Sequence, residues 1–164
     1  PDPAWKITVL DGEDAAGDDT GDVGLGASLF VAGDTWHIAC GSASDKSLRY
    51  LRVEGGAVLP PEVVDIGTRT ATETFTGRHA VGADTSIFVA QDGVVHIAYQ
   101  DATSGTLRHA AAKKGAGWAI TALEQPGFGG FFPSLLPHDG ALRIVSFTRD
   151  RGASLAGDVT VLVP

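Results

Sequence analysis

The chain repeats itself, and a repeat limits the fold more than any other feature of a sequence. Residues 27–51 (ASLFVAGDTWHIACGSASDKSLRYL) lie over residues 85–110 (TSIFVAQDGVVHIAYQDATSGTLRHA) with a single-residue gap in the first hairpin. Ser28 matches Ser86 and Phe30 matches Phe88. His37-Ile38-Ala39 matches His96-Ile97-Ala98, and Leu48-Arg49 matches Leu107-Arg108. A weaker third copy starts at Ser134, where Asp139-Gly140 and Ile144-Val145 fall in place of Asp92-Gly93 and Ile97-Ala98. Residues 5–10 (WKITVL) copy residues 118–123 (WAITAL), so the chain opens on what reads as the last strand of a unit.

The best-formed unit spans residues 86–123. Four short runs rich in Val, Ile and Thr are divided by turn chemistry. Asp92-Gly93 supplies the positive φ values of a tight hairpin, and residues 101–105 (DATSG) make a polar loop. This is a four-stranded antiparallel meander. No helix is signalled, since residues 110–114 (AAAKK) are too few to hold one alone. The reading is all-β, with a strand over 5–10, one unit over 27–66, a second over 85–123, and three strands over 134–163. Repeated meanders that bury both faces of their central strands, as VVHIAY and TWHIAC suggest, form the blades of a β-propeller. The chain then holds about three blades.

A chain of 164 residues can build an ordinary core. No apolar run approaches the roughly 20 residues of a membrane helix. The formal charge of −8 and the lack of a basic stripe argue against nucleic acid as a partner. Cys40 is the only cysteine, which rules out an intrachain disulfide and reads as a buried strand thiol. Methionine is absent even at residue 1, which suggests a processed product or an excerpt of a longer chain.

The repeat S-[IL]-F-V-A-x-D-G-x-x-H-I-A-Y-x-D, then L-R and Gly-Trp, resembles that of secreted bacterial β-propeller proteins over nearly the whole chain. That resemblance implies a secreted or periplasmic protein and fits lectins, hydrolases and docking platforms alike. Residues 33–36 (GDTW) echo only the end of the sialidase Asp-box S-x-D-x-G-x-T-W, without its leading Ser and Asp.

Candidate residues lie in loops. Residues 11–22 carry six acids, among which Asp18, Asp19 and Asp22 are possible calcium ligands, hard cations preferring several oxygens. The alternative is a solvated acidic loop. Residues 67–82 form a long connection holding Arg69, Glu73, Arg78 and His79, and His79 has no counterpart in the repeat. Phe131 and Phe132, in QPGFGGFFP, offer either an exposed platform or a plug between sheets. Asp101 and Asp150 are the loop carboxylates set beside His79 for glycan hydrolysis. His37 and His96 occupy equivalent places and read as packing residues, since repeats preserve scaffold positions. No G-x-S-x-G or other nucleophile motif is present.

The expected function is a non-catalytic binding or scaffold module, lectin-like, recognising glycan or protein through the loops that join second to third strands and successive blades. The alternative is a propeller-fold hydrolase acting on glycans. Three blades leave two apolar faces uncovered, so further blades are expected from a second copy or another chain, in the manner of small bacterial fucose-binding lectins.

Overall fold

The computed structural model describes residues 4–14, 16–70, 77–123, 125, 127–150 and 156–163. Every regular element among them is a strand: β1 Val23–Ala32, β2 Thr35–Ser42, β3 Ser47–Glu54, β4 Ala57–Val58, β5 Glu62–Asp65, β6 Thr68–Arg69, β7 Gly77–Arg78, β8 Val81–Val89, β9 Val94–Asp101, β10 Thr106–Lys113, β11 Ala119–Leu123, β12 Phe128–His138, β13 Ala141–Arg149 and β14 Gly157–Leu162. All pairings are antiparallel. The first blade is β1-β2-β3 with β4 and β5 sharing the far edge of β3. The second is β8-β9-β10-β11, and the third is β12-β13-β14. The fold class and the three meanders read from the repeat are those observed.

The blades stand in a row, β1 and β2 against β8, and β8 and β9 against β12. Alternation along β9 explains why this run is apolar throughout. Ile97 points into a core with Ala39, Leu48, Tyr50 and Val64 of the first blade. Its neighbour Ala98 points the other way, into a core with Leu135 and Ile144 of the third. Both are fully buried. A strand packed on two sides has no face for a polar residue.

The first strand of each blade begins earlier than its hydrophobic run. The added residues carry two register shifts each, in β1, β8 and β12 alike. Gly82 and Gly130 occupy equivalent places there, at φ of 85° and 81°. A Cβ on Gly82 would meet the backbone of Leu48 at 3.0 Å, and one on Gly130 the backbone of Leu107 at 3.0 Å. Each glycine lets its strand lie directly on the second-to-third-strand hairpin of the preceding blade.

Two expectations need correction. Residues 5–10 carry no regular structure, pair with no described strand and are largely exposed. Residues 67–82 are not simply a loop, since β6 and β7 pair within them; Glu73 falls outside the described residues.

Replacing Ile97 by Ala removes a fully buried side chain between two blades. The expected loss is about 2–5 kcal/mol of unfolding free energy, measurable by urea denaturation. A loss below about 1 kcal/mol would contradict the packing described.

Candidate functional site

Two places concentrate chemistry, one at each end of the strands. The first lies where β5 and β9 end. Asp101 is fully buried and its carboxylate is crowded by donors. Arg69 Nε donates to Oδ2 at 3.0 Å, Arg108 Nε to Oδ2 at 3.1 Å, and the Ser104 amide to Oδ1 at 3.2 Å. His79 Nδ1 sits 2.8 and 2.9 Å from the two oxygens. Arg69 also donates from Nη1 and Nη2 to Asp65 at 3.1 and 3.0 Å, and Tyr99 OH donates to Asp65 at 2.7 Å. Arg69 thus ties the last strand of one blade to the second strand of the next.

Burial alone would raise both carboxyls. At Asp65 the hydrogen bonds from Arg69 and Tyr99 outweigh it, and at Asp101 those from His79, the Ser104 amide and Arg69 do so. Both are held below the ordinary carboxylate range. A carboxylate so enclosed serves to hold blades in place, because its lone pairs are already committed and water is excluded. Three of the loop residues singled out from sequence, Arg69, His79 and Asp101, therefore converge.

The others stand apart. Arg78 is exposed and donates to the Asp45 carbonyl. Asp150 is exposed, and its amide donates to the Ala156 carbonyl. Phe131 is half-buried against Phe147 with ring centroids 6.0 Å apart, while Phe132 is exposed at a positive φ of 47°. Asp18, Asp19 and Asp22 are exposed. Asp14 Oδ1 accepts from the Asp18 amide and Asp19 Oδ1 from the Gly21 amide, so these acids fold their own loop. Among the described residues no three of His, Cys, Asp and Glu are grouped to hold an ion.

The second place lies at the opposite strand ends, between the first and second blades. A groove of about 290 Å³ is lined by Tyr50, Arg52, Glu54, Glu62, Lys114 and Trp118 among others. Trp118 meets Tyr50 edge to face at 5.2 Å. The Arg52 guanidinium lies over the Tyr50 ring, 5.9 Å from its centroid. Its two terminal nitrogens reach Glu54 at 2.9 Å and Glu62 at 3.5 Å. Lys114 reaches Glu54 at 3.1 Å. The hydrogen bond from Lys114, then the charges of Lys114 and Arg52, hold Glu54 below the usual carboxylate range. His37 Nδ1 lies 2.6 Å from Tyr50 OH, and burial lowers its pKa. Sequence reasoning passed over this groove. Its one signal was the aromatic pair, Tyr50 in the third strand of the first unit and Trp118 opening the last strand of the second.

No protein-family model and no curated protein matches the chain. Solved structures do. A bifunctional GH43-CE protein of Bacteroides eggerthii superposes with a TM-score of 0.51 at 15% identity, over 89% of this chain and 19% of that one. A xylan β-1,4-xylosidase from Bacillus halodurans C-125 does so at 0.56 and 18% identity, over 87% of this chain and 29% of that one. The chain spans less than a third of either protein's length. At these identities the likeness is one of fold, and the blades are of the β-propeller kind.

The charge cluster sets a pH limit on stability. A carboxyl whose pKa is lowered by folding contributes stability above its unfolded pKa, near 4, and loses it as pH falls through the folded value. Stability is therefore expected to be level near neutrality and to fall below about pH 4. Asp101→Asn, which leaves Arg69 and Arg108 facing a neutral group, is expected to cost about 3–5 kcal/mol and to flatten that fall. Urea titrations of both proteins across pH 2.5–7 read the difference; parallel curves would refute the assignment.

Proposed function

We propose that this chain forms part of a propeller-fold protein that hydrolyses glycans, and that the groove between the first and second blades holds a sugar. The observation that carries the binding half is the set of groups lining the groove. Trp118, half-buried and held edge-on by Tyr50, offers apolar ring surface to the C–H face of a pyranose, and Arg52, Glu54 and Glu62 offer donors and acceptors to its hydroxyls. Mostly apolar concavities with a few convergent polar groups are the usual form of a small-ligand site. The fold's likeness to a xylan β-1,4-xylosidase supports hydrolysis as the activity of the whole protein.

The groove itself supplies half of that chemistry. Glycosidases use two carboxyl groups, one of them protonated as a general acid. Glu54, held ionised by Lys114 and Arg52, fits an acceptor or base and is unsuited to be the acid. This favours a second reading, a glycan-binding groove without catalysis of its own.

One experiment separates the two readings. The 164-residue chain is titrated calorimetrically with neutral oligosaccharides, xylo-oligosaccharides among them, and the same mixtures are assayed for new reducing ends. Binding with release of reducing ends supports hydrolysis, and binding alone supports the non-catalytic groove. Trp118→Ala is expected to weaken binding about tenfold or more, equivalent to about 1.4 kcal/mol. Neither binding nor release across the panel would overturn both readings.

A further inference from the structure

The groove between the first and second blades rests on one buried hydrogen bond that a proton can break. His37 pairs across the ladder with Arg52, and Ala39, two residues on, with Tyr50, so all four share the face of the first blade that meets the second. His37 Nδ1 lies 2.6 Å from Tyr50 OH, and the two residues are only 8% and 4% exposed. Among the described residues the Tyr50 hydroxyl has no other hydrogen-bond partner. A buried hydroxyl proton needs an acceptor, so Tyr50 donates to Nδ1 and the neutral imidazole keeps its own proton on Nε2.

Trp118 depends on Tyr50 in turn. Its ring stands edge to face on Tyr50 at 5.2 Å, with an interplanar angle of 70°. Trp118 Nε1 is buried without a hydrogen-bond partner among the described residues, so packing alone holds the indole. The repeat shows which part of this arrangement is scaffold. In the second blade His96 stands in the place of His37 and His109 in that of Tyr50, with Nδ1 of the one 3.0 Å from Nε2 of the other. Where the first blade has Arg52 and Glu54, the second has Ala111 and Lys113. A histidine tied to the third strand therefore belongs to both blades, and the polar set of the groove to the first alone.

We propose that His37 is a positioning residue: by accepting the Tyr50 hydroxyl proton it holds the Tyr50–Trp118 wall of the groove, and by taking up a proton it releases that wall, which makes the groove acid-sensitive. A protonated imidazole donates from both nitrogens. Tyr50 must then accept, and its own proton is left without an acceptor in a buried place. The ring that carries Trp118 loses the bond that fixes it. Charged groups around His37 set where this happens. β3 contributes Arg52, directly opposite, and Glu54 beyond it; β5 contributes Glu62; the end of β10 contributes Lys113 and Lys114, with Asp92 3.6 Å from Lys113. β1 faces His37 with Phe30, and β8 and β9 bring Val89 and Val95. Burial and the charge of Arg52 outweigh that of Glu54, so the imidazole stays neutral to a lower pH than an ordinary histidine. The consequence for a sugar rests on the reading of the groove given above; the coupling of His37 to Trp118 does not.

The test reads Trp118 directly. Trp5→Phe and Trp36→Phe, both at exposed positions, leave Trp118 as the sole tryptophan of the parent chain. Its fluorescence emission is followed from about pH 8 to about pH 4.5, with circular dichroism to confirm that the fold is kept. A shift to longer wavelength is expected as the pH falls, with its midpoint below about 6.5. His37→Asn keeps an acceptor near the place of Nδ1 and does not titrate, and is expected to hold the neutral emission throughout. Tyr50→Phe keeps the ring without the hydroxyl, and is expected to abolish the shift although His37 still titrates. No shift in the parent, or an equal shift in either variant, would overturn the proposal. Calorimetry reads the consequence: an oligosaccharide that binds the parent at neutral pH is expected to bind about tenfold more weakly at the acid end, and equally at both in His37→Asn. Equal affinity at both ends in the parent would overturn the acid sensitivity. A shift in emission with no sugar bound at any pH supports the coupling and counts against the sugar reading alone.

Discussion

The contact between neighbouring blades is the constraint on which the rest depends. A meander of three or four strands has two broad faces and too few residues to bury either by itself. Its central strand can be apolar on both sides only if a blade stands on each. The second blade satisfies this condition, and Ile97 and Ala98, adjacent in sequence, are buried in two different cores. The first and third blades satisfy it on one side only, which is why Leu29, Val31, Trp36, Leu136, Val159 and Val161 are among the exposed large apolar residues.

Apolar faces alone allow sliding, because dispersion and water release are not directional. Two devices fix the register. One is steric: Gly82 and Gly130 bring each new first strand onto the backbone of the preceding hairpin, where any side chain would push it away. The other is ionic. Arg69 spans Asp65 and Asp101, and Tyr99 and His79 complete the hydrogen bonding. Buried charges are costly unless every one is paired, so this arrangement tolerates only one relative placing of the two blades. At that end of the strands both carboxylates, Asp65 and Asp101, are buried.

The opposite end is different in kind. There Tyr50, Arg52, Glu54, Glu62 and Trp118 line an opening in place of a seal. Its charges are paired with one another but remain partly in water, where their attraction is weak and partners can be exchanged. A polyhydroxyl ligand could replace such contacts at small cost. The same exchange at Asp101 would require breaking the interface.

Strand order, the antiparallel meander and the number of blades were legible in the sequence, because they depend on local alternation and on turn chemistry such as Asp92-Gly93, which act over a few residues. The shared role of His37 and His96 as packing residues was legible too, since equivalent positions meet equivalent neighbours; His96 stacks on His109 at 5.2 Å as His37 does on Tyr50 at 6.0 Å. The pattern of residues 5–10 announced a strand, but a strand requires an edge, and these residues pair with none of the described strands. Arg69, His79 and Asp101 could be named as polar residues of long loops. That they meet in one buried cluster, and that Tyr50 and Trp118 shape a groove at the other end, was decided by how one blade is set against the next. That placing brings together residues 32 and 68 positions apart, and nothing in the local periodicity of either one encodes the other.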